Sequence, residues 1–162
     1  MKPNVILLVY GEGGHHAQMN RLLQKMMKNK RCSEISFIGL CENGKTIYAI
    51  ENFSLPPIRD KYSFVSTIVG LPGVFWHYFR TLKAINNNYH VCGVISTGPG
   101  ISILPSIYFK LRSRCIIFIE TWSRFDTQSM TGRVMYQLAD RFYVQNQEQL
   151  KFYPKALYGG LL

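Results

Sequence analysis

The chain has 162 residues, 47% of them hydrophobic and 14% aromatic, enough for one domain with a buried core and too few for a large two-domain enzyme. Nineteen Lys and Arg against nine Asp and Glu give a formal charge of +10, which favours anionic partners without choosing among nucleic acid, anionic lipid and phosphorylated small molecules. Four cysteines, Cys32, Cys41, Cys92 and Cys115, follow no metal-ligand spacing and read as reduced core thiols, so neither a metal nor a cofactor is expected.

In chain order, residues 5–10 read as a buried strand, too short for a signal-peptide core or an anchor. The strand runs into "GEGGHH" and then a helix on which Met19, Leu22, Leu23, Met26 and Met27 recur at helical spacing. Residues 35–40 make a second strand, 44–51 a short helix or turn, and Pro56-Pro57 an extended close. A helical region spans 66–85, broken at Pro72-Gly73. Then come a strand over 91–96, the turn "TGPG", a helix over 101–111 and a strand over 115–120. Residues 131–139 read as a helix capped by Ser129, 142–144 as a short strand and 148–153 as a closing helical turn. This alternation predicts an α/β fold, a Rossmann-like, mostly parallel sheet with helices on both faces, in one domain over 1–162. The charge-free stretches 62–79 and 89–109 are cut by Pro72-Gly73 and "TGPG", so neither reads as spanning a membrane.

Three unusual stretches, "GEGGHH", "STGPG" and "ETWSR", all fall at strand carboxyl ends, the rim where such sheets bind ligands. Gly11 and Gly13 match two positions of GxGxxG, and Glu42 lies near the place of a ribose-binding acid. His16 occupies the third glycine's place, where close helix-to-strand packing needs no side chain, which counts against a nicotinamide site. A tight turn alone also accounts for Gly11, Gly13 and Gly14. The two histidines add chemistry: an imidazole in the first turn of a helix sits at the positive end of the dipole, which keeps it neutral and able to accept a proton. The same amides can hold a phosphate.

"GEGGHHAQMNRLL", residues 11–23, resembles the G-x-G-G-H-x-x-x-M-x-x-L opening of the acceptor-side subunits of split glycosyltransferases, and "STGPG" resembles their second glycine loop. Residues 119–160, "IETWSRFDTQSMTGRVMYQLADRFYVQNQEQLKFYPKALYGG", are similar to the family's E-S-x-x-R-x-x-x-x-S-x-x-G-x-x-x-Y-x-x-A-D-x-F-x-V-Q-W-x-x-L-x-x-x-Y-P-x-A-x-Y-x-G. The likeness covers essentially the whole chain. The family includes PssD- and CpsF-type proteins of bacterial capsule and exopolysaccharide assembly. It also includes the membrane subunit of the eukaryotic enzyme that adds the second N-acetylglucosamine to dolichol-linked sugar. Its fold is similar to the N-terminal half of a GT-B transferase such as MurG.

The resemblance implies a half-enzyme. This chain would bind a polyprenyl-diphosphate-linked sugar, and a separate donor-binding glycosyltransferase subunit would bring the UDP-sugar for an inverting transfer. By position His15 is the candidate base or acceptor-orienting group, and His16, beside it but outside the motif, is a candidate substrate-binding residue. Gly11, Gly13, Gly14, Gly98 and Gly100 would line the acceptor diphosphate. Glu120 would bond acceptor hydroxyls or share the base role, or else pair with Arg124 or Arg141; Arg124 faces the choice between lipid phosphate and Glu120. The chain departs from the pattern at Gln18, where many relatives carry an acid, at Thr121 for Ser and at Asn146 for Trp, and its Gly-Gly-Leu end lacks the usual arginine.

Membrane contact would come from residues 74–85, where Phe75, Phe79 and Leu82 share a helical face, with Trp76, Arg80 and Lys83 close by. An ordinary core helix with a basic outer side fits the same pattern. The expected place is peripheral, on the cytoplasmic face of the inner membrane. The alternative function is a non-catalytic membrane scaffold that recruits and stimulates a self-sufficient transferase. Nucleic acid is not expected as a partner, because the basic residues are scattered and form no recognition motif.

Overall fold

The computed structural model describes residues 2–29, 32, 34–56 and 64–162, with side chains left out over 64–71; Pro57, expected in an extended segment, lies outside the described residues. Strand β1 (Asn4–Tyr10) lies in the interior of a seven-stranded sheet. Its apolar run has no polar face because both sides are covered: Leu7 and Val9 enter one core, Leu8 and Tyr10 the other. β2 (Phe37–Cys41) and β3 (Glu51–Ser54) follow on one side of β1. On the other side stand β4 (His90–Gly98), β5 (Cys115–Ile119), β6 (Arg141–Val144) and β7 (Leu157–Tyr158). The order is β3-β2-β1-β4-β5-β6-β7, and every pairing is parallel.

Helix α1 (Gly14–Met27) buries Met19 and Leu23 with Leu8, Tyr10 and Phe37 on one face of the sheet. Full burial of each such side chain is worth roughly 1.5–3 kcal/mol. The opposite face carries α2 (Phe64–Asn88), α3 (Ile103–Lys110) and α4 (Met130–Leu138), whose Tyr78, Leu82, Ile85, Phe109 and Met135 join Leu7 and Val9. The α/β fold expected from the alternation of elements is therefore present, with helices on both faces. Strand order reverses between β1 and β4, the topological switch where such sheets open a crevice at their carboxyl ends. The loops after these two strands carry the first and second glycine motifs.

Several expectations need correction. Glu51, read as the end of a short helix or turn, begins the edge strand β3, whose residues 52–54 had no assigned element, and Leu157–Tyr158 adds β7, which the sequence does not announce. Pro72 does not break α2. Pro72 and Gly73 are both exposed, so water can replace the hydrogen bond a proline cannot donate. The cysteines are free, but only Cys41 is buried; Cys92 and Cys115 are exposed near the amino-terminal ends of β4 and β5, where the sheet meets solvent.

Candidate functional site

The two glycine loops clasp each other. The Gly11 amide donates to the Gly98 carbonyl at 2.9 Å. A Cβ on Gly11 would stand 2.2 Å from the Pro99 ring, so only glycine allows this approach. Next to the clasp lies a cavity of about 340 Å³ lined by His15, Thr97, Gly98, Pro99, Phe118, Glu120, Arg124 and the first residues of α4. Backbone beside Gly13, Gly14 and Gly100 is open, with nothing within 4 Å of the position a Cβ would take.

His15 lies in the first turn of α1 and is half-buried. Its Nδ1–H donates to the Thr97 carbonyl at 2.6 Å, and the Thr97 hydroxyl donates back to the His15 carbonyl at 3.0 Å. With Nδ1 bound to a carbonyl, Nε2 is the ring's proton acceptor. Burial pushes the imidazole pKa below the ordinary histidine range, against the opposing effects of the Thr97 bond and the Glu120 charge. The group is thus a neutral base at neutral pH, in a cavity large enough for a sugar or phosphate.

His16, one residue on, points elsewhere, because consecutive helical residues diverge by about 100°. Its ring stacks on Tyr10 at 5.4 Å, and its Nε2 accepts from the Asn20 amide at 2.9 Å. Asn20 in turn accepts from the Thr46 hydroxyl at 2.7 Å. His16 therefore ties the segment after β2 to α1, and it does not line the cavity. Its bulk against Tyr10 fills the place where a dinucleotide fold brings helix and strand together on glycine.

Glu120, directly after β5, is 2% exposed. Its carboxylate accepts from the Ser129 hydroxyl at 3.0 Å, the Tyr153 hydroxyl at 3.0 Å and the Thr121 amide at 3.0 Å. Its carbonyl accepts from Gln18 at 3.2 Å and Gln145 at 2.8 Å. Gln18 is thus a buried brace between α1 and the end of β5. The guanidinium of Arg124 turns to the Thr127 hydroxyl at 3.2 Å and is exposed at the mouth of the cavity. Ser129 caps α4 as expected, accepting from the Gly132 amide at 2.7 Å.

Thr97 and Tyr153 were not singled out by the sequence. Each works through a partner 82 or 33 residues away, and no local spacing reveals that. Among the described residues no group of three or more His, Cys, Asp and Glu is placed to hold a metal ion.

Away from the cavity, α2 exposes Phe75 at 46%, Trp76 at 62% and Phe79 at 57%. Arg80 lies over the Trp76 ring at 5.3 Å, and Lys83 is exposed one turn below Phe79. Leu82 is not on this face: it turns into the core with Tyr78 and Ile85, the i, i+4, i+7 stripe that meets the sheet. No helix among the described residues is long and apolar enough to cross a membrane.

Comparison with known proteins agrees with this picture. The chain is similar to the UDP-N-acetylglucosamine transferase subunit ALG14 of Saccharomyces cerevisiae, 28% identical over 99% of this chain and 78% of that one. The human subunit of the same name is 24% identical over 96% of this chain and 81% of its own. In fold the chain resembles MurG of Acinetobacter baumannii, with a TM-score of 0.59 at 11% identity, over 88% of this chain and 41% of MurG. The model of the family described as "Oligosaccharide biosynthesis protein Alg14 like" matches residues 42–162, which hold Gly98, Gly100, Glu120 and Arg124 but not the His15 loop. The chain belongs to this Alg14-like family of oligosaccharide biosynthesis proteins.

Proposed function

We propose that this chain is the acceptor-binding subunit of a two-chain inverting glycosyltransferase, which adds a sugar to a polyprenyl-diphosphate-linked saccharide in capsule or exopolysaccharide assembly. One observation carries the reading: a neutral, half-buried imidazole with its tautomer set by Thr97 lines a cavity whose mouth holds Arg124. The saccharide hydroxyl would lie in the cavity with its diphosphate toward Arg124 and the open backbone of Gly13, Gly14 and Gly100. His15 Nε2 takes the hydroxyl proton as the oxygen attacks the anomeric carbon from the side opposite the leaving UDP. Names of the relatives support a transferase subunit that acts on a UDP-sugar.

The relatives are named as transferase subunits, and this reading takes a separate donor-binding chain as the partner that brings the nucleotide sugar. Residues 1–162 then work as one acceptor domain. The face of Phe75, Trp76, Phe79, Arg80 and Lys83 suits a membrane surface: aromatic rings enter the headgroup layer while basic groups meet anionic lipid. This reading puts the chain at a membrane surface as a peripheral subunit, on the cytoplasmic face of the inner membrane.

Vesicles that carry both chains, a UDP-sugar and a lipid-linked acceptor test the reading. His15→Ala should cut turnover about a hundredfold or more while acceptor binding changes little. Unchanged turnover would remove His15 as the base and favour a scaffold role.

A further inference from the structure

We propose that Glu120 does not take the acceptor's proton but serves as a fixed negative charge that stabilises the imidazolium His15 becomes during transfer. This rests on His15 as the base argued above. Three donors converge on the carboxylate, and one of them, the Thr121 amide, cannot reverse its role. Ser129 has its oxygen committed to the Gly132 amide and so sends its proton to Glu120. A Cβ on Gly132 would fall 1.7 Å from Glu120 Oε2, so the carboxylate lies in the first turn of α4, at the positive end of that helix. With three donors on its two oxygens, the carboxylate is poorly placed to take a proton from substrate.

Few charged groups face His15. From the end of β5 comes Glu120, and from the loop beyond it Arg124, both on the cavity wall; α4 contributes only the uncharged Met130 and Thr131. On its own helix His16 turns to Tyr10 and Asn20, while Glu12 bonds to Asn43 and Glu42 lies beside Gly11. Glu120 is the carboxylate that acts on His15, raising its proton affinity against the larger effect of burial. In the transfer step, the acceptor oxygen bonds to the anomeric carbon and the bond to UDP breaks with its electron pair. The hydroxyl proton passes to His15 Nε2, and the new positive charge forms beside Glu120. Glu120 is thus a positioning residue for charge, acting through His15.

Two readouts separate this from a purely structural role. In the histidine-labelled chain followed by NMR, Glu120→Gln should lower the His15 titration midpoint by about half a pH unit or more. In the two-chain complex, the same substitution should move the acid limb of kcat in the same direction and lower kcat about tenfold with little change in acceptor KM. Glu120→Asp, which keeps the charge one methylene further back, should fall between wild type and Gln, and serves if the Gln variant does not fold. A His15 midpoint unmoved in both variants would overturn the proposal, as would transfer lost at every pH in Glu120→Gln but kept in His15→Ala. The last result would also remove the base role of His15, whereas a shifted midpoint with His15→Ala still active would keep the charge coupling between Glu120 and His15 but remove its part in transfer together with that base role.

Discussion

Glu120 is 2% exposed and Trp76 is 62% exposed, the reverse of how carboxylates and indoles ordinarily divide between core and surface. Around Glu120 the inversion is sustained by partners: two hydroxyls and an amide bond the carboxylate, and two glutamines hold the backbone carbonyl of the same residue within the rim of the sheet. On α2 the inversion has no such support: among the described residues Trp76 has Arg80 above its ring, and Phe79 meets Tyr108 of α3 edge-on at 6.2 Å. A rigid, satisfied polar cluster suits chemistry that depends on fixed charge. An exposed aromatic face suits contact with a fluid phase such as lipid, where no single geometry is needed.

Substitutions can break this contrast from either side. The largest effect is expected at the cavity, from the His15→Ala loss of turnover described above. Next comes the double change Trp76→Ser and Phe79→Ser, which removes apolar area worth roughly 1.5–3 kcal/mol per ring if both rings enter lipid. Flotation with anionic vesicles should then show binding down about tenfold or more, with transfer to a detergent-solubilised acceptor little changed. Equal flotation would assign this face to something other than lipid.

Gly11→Ala forces the two glycine loops apart against the Pro99 ring, and thermal unfolding should show a loss of about 1–3 kcal/mol. An unaltered melting temperature would mean that the clasp yields easily. Smallest is Lys110→Ala, which breaks an exposed pair with Asp140; neither residue lines the cavity. Lys110 holds the Asp140 pKa below the ordinary aspartate value, so the pair's contribution is present above that value and lost as pH falls through the depressed one. The melting difference should amount to less than about 1 kcal/mol at neutral pH and vanish in acid.

How far the sequence revealed this depends on the range of the interactions. β1 and α1 were legible because an apolar run and a 3.6-residue stripe are local signals, and the glycine loops mark where one becomes the other. β3 and β7 were not: "ENFS" and "LY" have too few apolar residues for either strand pattern, and they are strands because an edge was open to pair with them. A helix's first turn marked both histidines alike, and only the family motif set His15 apart from His16; the physical difference, His16 held by Tyr10 and Asn20, is visible only in the fold. The function of Glu120 was hidden for the same reason. Its donors sit 1, 9 and 33 residues on, and from sequence the arginines nearby were equally good partners.

The most direct test of an acceptor-binding half-enzyme needs no partner chain. The purified protein is titrated calorimetrically with a polyprenyl-diphosphate-linked sugar in nanodiscs and, separately, with a UDP-sugar. Saturable binding of the lipid-linked sugar, weakened by Arg124→Ala, with no binding of the UDP-sugar is the predicted result. Tight binding of the UDP-sugar with none of the lipid-linked sugar would contradict it.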